Sequence, residues 1–201
     1  MNEEGPSPRE IAFVQRLERW RSSASKTRHA LGALVRARVS SGIWHTTSPD
    51  RFRAILESGS ILPEPGLPDS ERWSTNAGPE WYPYVRTLGG VSLFDLREFE
   101  PDSYRERCPL STWTEFVPYR EDWKASIWIE IDVGLLGRNF VAGRDLLDRW
   151  KTAKVGNRIM PEIEAAHIGP IPTAAFISAF IARRGASELE PVDLSAEFQV
   201  P

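Results

Sequence analysis

The stretch from Gly42 to Pro63 carries a start, a corner and a stop, and it constrains the fold more than any other part of the chain. Ile43 and Trp44 suit a pleated, half-buried strand. Ser48 has the chemistry of an N-cap, and Pro49 follows at the first helical position, where a missing N–H is no loss. Phe52, Ile55 and Leu56 fall on one helical face, and Gly59 stands where left-handed backbone is needed to end the helix. The spacing predicts strand, polar corner, helix and a second short strand. His45, Thr46 and Thr47 are then presented at a strand end beside a helix N-terminus. Spare N–H groups and a partial positive charge there suit an anionic or polyhydroxyl ligand. A corner that only packs, with His45 bonded in its rim, fits the same pattern.

The rest of the chain supplies mixed elements without a regular βαβ repeat. Ser7-Pro8-Arg9-Glu10 has the form of a capping box and opens a helix through Ile11, Val14 and Leu17; Ala30, Leu31, Leu34 and Val35 mark a second. Five prolines between 63 and 88 predict a long helix-free loop, decorated by Arg72, Trp73, Trp81, Tyr82, Tyr84 and Arg86. Its aromatics and arginines could stack on a base or a nicotinamide, or pin the loop to the body. Residues 89–96 read as a strand behind a glycine hinge, and 101–124 as irregular with a helical turn near Thr112–Phe116. From Ser126 to Val133 the alternation is clean: Ile127, Ile129, Ile131 and Val133 on one face, Trp128, Glu130 and Asp132 on the other, facing solvent. A helix over 143–154, strands over Ile159–Ile168 and Ala175–Ala182, and a peripheral tail from Arg183 complete the reading. The expectation is a single α+β domain with a largely antiparallel or mixed sheet and helices at its N-terminus.

Composition excludes several classes. A net charge of −3 supplies no basic field for nucleic acid or membrane. Of 25 basic residues, however, only Lys26, Lys124, Lys151 and Lys154 are lysines, so forked arginine contacts to a local anion remain available. Cys108 is the only cysteine, which rules out an internal disulfide and fits a reducing cytosol; beside Pro109 it reads as inert. No apolar run approaches a membrane span, and Met-Asn-Glu-Glu-Gly-Pro does not read as a signal peptide. His29, His45 and His167 never share helical spacing and no CxxC or HExxH occurs, so no metal site is expected.

Two carboxylate pairs stand at i, i+2. Glu130/Asp132 is expected to be solvated. Glu162/Glu164 has Ala165 and Ala166 beside it, which would leave room for a bulky group to approach Glu164, and His167 three residues on. A carboxylate in such a cleft can stabilise a sugar cation and accept a proton from a nucleophile. Read from the residues alone, His45 and His167 could instead act as acid and base in a metal-independent ribonuclease or phosphotransferase.

His45-Thr46-Thr47, followed by Phe52, Ile55-Leu56, Gly59 and Ile61-Leu62, resembles the opening of ADP-ribosyltransferase-fold proteins. The closest likeness is to the branch of the DarT-type DNA ADP-ribosyltransferases and the RNA 2′-phosphotransferases. Val91-Ser92-Leu93-Phe94 matches the second strand of that pattern, and Glu164, followed by Gly169-Pro170-Ile171-Pro172, its late-strand glutamate. The likeness covers residues 42–182, leaving 1–41 as packed helices and 183–201 as a tail. It implies NAD as co-substrate, held by His45, Thr46, Thr47, Ser92 and an arginine such as Arg51 or Arg86, with Glu164 catalytic. It also implies a cytoplasmic mono-ADP-ribosyltransferase acting on a single-stranded nucleic acid or a protein. Such an activity suits a toxin or defence effector with a neutralising partner. The chain has no S-T-S element and no clear second-strand tyrosine, which leaves the middle of the NAD site unassigned. Arg158-Ile159-Met160-Pro161-Glu162 lacks the usual lead-in to a DarT-type glutamate, so the acceptor could be something other than DNA; an inactive binding module of the same fold is the remaining alternative.

Overall fold

Seven antiparallel strands, ordered β5-β6-β3-β1-β4-β8-β9, make the sheet on which everything else is laid. They are β1 (Ile43–Thr47), β3 (Gly90–Asp95), β4 (Ala125–Ile131), β5 (Phe140–Val141), β6 (Glu164–Ile168), β8 (Phe176–Arg183) and β9 (Glu190–Val192). Two further strands, β2 (Ser60–Ile61) and β7 (Ile171–Pro172), pair with each other. This is a computed structural model that describes residues 25–75, 78–155 and 157–195. It is a single α+β domain. The expected helix from Ser7 lies outside the described residues; a helix over 25–39, α1, is present.

Sequence dictates the two faces of the sheet. Trp44 is the direct cross-strand partner of Phe94, and Trp128 of Phe180; all four share one face and pack beneath Leu31, Val35 and Val39 of α1. The opposite face is aliphatic: Ile43, Ile127, Ile129, Val91, Leu93 and Ile181 pack with Phe52 of α2 (Pro49–Ser58). Burial of both layers removes large apolar areas from water, the main stabilising force of the domain. The clean alternation in β4 therefore separates two buried layers rather than core from solvent. Trp128 is fully buried, and Glu130 accepts from Ser178 Oγ at 2.7 Å. Asp132 is the N-cap of α5 (Val133–Leu136), accepting from Gly134 N at 2.8 Å, so Val133 is not part of the strand.

The corner is built as its residues demand. Ser48 caps α2, Pro49 opens it, and Gly59 closes it at φ 70° with its N–H on the carbonyls of Ile55 and Leu56. Elsewhere four expectations need correction. The loop after β2 contains a short helix, α3 (Tyr84–Thr87), because Pro83 immediately before it and no proline within it leave its backbone bonds intact. Residues Pro101–Arg107 form α4, for which Glu100 is the N-cap, accepting from Ser103 N at 2.8 Å, with Pro101 in the first turn. The strand expected from Ile159 begins only at Glu164. The chain before it turns, with Glu162 at φ 64°. The tail is not merely peripheral, since β9 pairs with β8 at the sheet edge. The predicted helix is present as α6 (Gly143–Ala153) with Leu146 fully buried. No helix among the described residues is long and apolar enough to cross a membrane.

Candidate functional site

β1 and β3 pair through only two residue pairs, Ile43 with Asp95 and Trp44 with Phe94. Past them the strands part, and His45 Nδ1 meets the carbonyl of Ser92 at 3.1 Å. An imidazole thus stands where the next peptide N–H of a ladder would. A carbonyl only accepts, so Nδ1 carries the proton and neutral His45 keeps Nε2 as an acceptor. Burial lowers the pKa of His45, partly offset by the Ser92 bond, which favours that neutral form.

A cavity of about 440 Å³ opens at this parting, a size typical of small-molecule sites. His45, Thr46, Thr47 and Ser92 line its sheet side, Arg51 and Ile55 its α2 side, and Arg72, Trp73 and Arg86 the side made by the segment after β2. Trp123 completes the wall, with the Arg51 guanidinium 6.0 Å from its ring centre. Thr46 Oγ1 donates to Ile127 O at 3.2 Å, whereas Thr47 is nearly buried. Arg51 donates to Glu71 O, but the nearest Glu71 carboxylate oxygen is 3.9 Å away. Burial and neighbouring Arg120 lower the pKa of Arg51, as expected for an incompletely neutralised guanidinium.

Glu164 is fully buried and does not line the cavity. Register explains why. Phe94 is opposite Glu164, so this side chain lies on the aromatic face, while His45 alternates to the aliphatic one. Ser92 joins the two: its carbonyl holds His45, and its hydroxyl donates to Glu164 Oε1 at 2.8 Å. The other carboxylate oxygen accepts from Met160 N at 2.8 Å, and Glu164 N returns a bond to Met160 O at 3.0 Å. Desolvation raises the Glu164 pKa to about 7 despite these two bonds.

The turn before Glu164 explains what the spacing could not. Glu162 does not share a strand face with Glu164. It points away and pairs with Arg107 at 2.9 Å. Ala165 and Ala166 are fully buried in packed layers, so they open no approach to the acid. The site residues that sequence reasoning missed are Arg72, Trp73 and Trp123 as cavity walls. The first two carried a signal as part of the Arg- and aromatic-rich loop; Trp123 had none, because its segment reads as irregular. His167 does not line the cavity, and its Nδ1 lies 3.1 Å from Gly169 O. Among the described residues no group of three or more His, Cys, Asp or Glu could hold a metal ion. Burial raises the Cys108 thiol pKa, which makes it a poor nucleophile. No family model matches the chain, and no curated protein matches it either.

Proposed function

We propose that this chain is a cytoplasmic NAD-dependent mono-ADP-ribosyltransferase whose dinucleotide occupies the cavity between β1 and β3. The observation that carries the reading is the joining of His45 and Glu164 through the single residue Ser92 at the cavity wall. The residues fit a dinucleotide: indoles at Trp73 and Trp123 for flat rings, guanidiniums at Arg51, Arg72 and Arg86 available to a pyrophosphate, and His45 with Thr47 for ribose hydroxyls. NAD supplies the glycosidic bond that breaks, nicotinamide leaving and ADP-ribose passing to an acceptor nucleophile.

The chain's part in that chemistry is electrostatic. Ionised Glu164, one hydroxyl behind the wall, places a negative charge in a desolvated setting where positive charge on a ribose is favoured. Ser92 fixes the position of that charge and faces the ligand itself. His45, neutral and held at Nδ1, offers Nε2 as an acceptor. The acceptor molecule would be a nucleic acid strand or a protein, in the setting of a toxin or defence effector with a neutralising partner. The pairing of His45 with His167 as acid and base finds no support in the geometry, since only His45 lines the cavity.

Labelled NAD incubated with the chain and a cell lysate, followed by nuclease or protease digestion, tests the proposal. Label should transfer to a macromolecule. Glu164→Gln should keep the fold and the thermal shift induced by NAD yet lose transfer. No thermal shift with NAD, or unaltered transfer by the Gln variant, would overturn it.

A further inference from the structure

The segment after β2 brings four charged side chains together on the cavity's outer wall. Arg72 and Arg86 line the cavity, with side chains 15% and 20% exposed. Their carboxylate partners, Glu64 and Asp69, are 59% and 43% exposed and do not line it. Arg72 donates to Glu64 and, at 2.9 Å, to Pro63 O. Arg86 donates Nε to Glu64 at 3.1 Å and Nη1 to Asp69 at 2.8 Å, and it lies 4.1 Å over the Tyr82 ring. The Tyr82 hydroxyl also donates to Asp69. The cations are therefore enclosed against the cavity while the anions that neutralise them stand on the solvent side. A guanidinium carries five N–H donors, and the hydrogen bonds just described engage two nitrogens of each. Carboxylates this exposed are weak partners, whereas a phosphate inside the cavity would meet the same guanidiniums away from solvent.

We infer that Arg72 and Arg86 form a subsite for a phosphate-class anion, and that Glu64 and Asp69 compete with the ligand for its charge. The carboxylates keep the subsite neutral until an anion enters and shares or takes over their donors. The inference deepens the proposed function by naming which wall receives the anionic part of a ligand. It requires only that the cavity bind a ligand, not that the ligand be NAD.

Inorganic pyrophosphate titrated calorimetrically into the full chain at low salt tests it. The E64Q/D69N variant should bind about five- to tenfold tighter than the unaltered chain. Adding Arg72→Gln and Arg86→Gln should abolish the gain. The pair Asp102→Asn and Glu188→Gln, which changes charge equally away from the cavity, should shift affinity by less than about twofold. Equal affinity, or no binding in either protein, overturns the inference. So does a gain that survives loss of both arginines or that the charge-matched pair reproduces. Should E64Q/D69N fail to fold, Glu64→Gln alone carries the same test with a smaller gain. A pyrophosphate gain without NAD binding leaves the subsite standing and removes the proposed function; NAD binding without the gain does the reverse.

Discussion

On the sheet side of the cavity, Ser92 and Glu164 are held by a ladder and by a buried carboxylate whose two oxygens are both bonded. On the other side, Glu64, Asp69, Arg72 and Arg86 are held by ion pairs at the edge of solvent. The first wall is fixed by packing and desolvation, where one atom out of place leaves a buried charge without its partner. The second is fixed by contacts that water and salt replace at little cost. A ligand between them would meet one surface set in advance and another that can adjust its charge.

The sharpest way to break this contrast is at Gly143. A Cβ there would lie 1.9 Å from the Glu162 carbonyl oxygen, in the turn that delivers Glu164. Gly143→Ala should cost about 4 kcal/mol in chemical denaturation and disturb the acid's surroundings. Next comes the acid itself. Its folded pKa of about 7 lies above the ordinary 4.5, so between these pH values the folded chain binds more protons than the unfolded. Stability must therefore fall as pH rises through that window, by about 3 kcal/mol in all. Glu164→Gln should remove that fall, leaving the variant the more stable protein at pH 8; matching slopes for the two proteins would refute the burial argument.

Ser92→Ala is smaller. It deletes a bond that favours the ionised carboxylate, so it should cost about 2 kcal/mol at pH 8 and less at pH 5, where the acid is protonated in both proteins. The acidic limb of any transfer activity should move to higher pH. Smallest is the outer wall: Arg86→Gln should change stability by about 1 kcal/mol or less, and the change should shrink in 1 M salt. A large, salt-insensitive loss there would erase the distinction between the walls.

Much of the sheet wall was legible because its signals are local. Ser48, Pro49 and Gly59 each act within one turn of the chain, and the alternation of β4 is a property of consecutive residues. Glu164 was legible as an unusual acid but not as a buried one. Its solvation depends on Phe94 lying opposite and on a turn where Glu162 takes positive φ, neither of which neighbouring residues reveal. The same turn separated two glutamates that simple alternation would place side by side. The helix at Pro101 was missed because its cap is a glutamate rather than a short polar residue. Arg72 and Arg86 were visible as residues, but their carboxylates lie 8 to 22 positions away in the chain.

β3 is tied to β6 by five residue pairs and β1 to β4 by four, but β1 to β3 by only two. The sheet thus has a seam, with three strands on one side and four on the other, and the cavity opens along it. A guest lodged there would stitch the two leaves together. Its occupancy would slow hydrogen exchange in strands that it never touches.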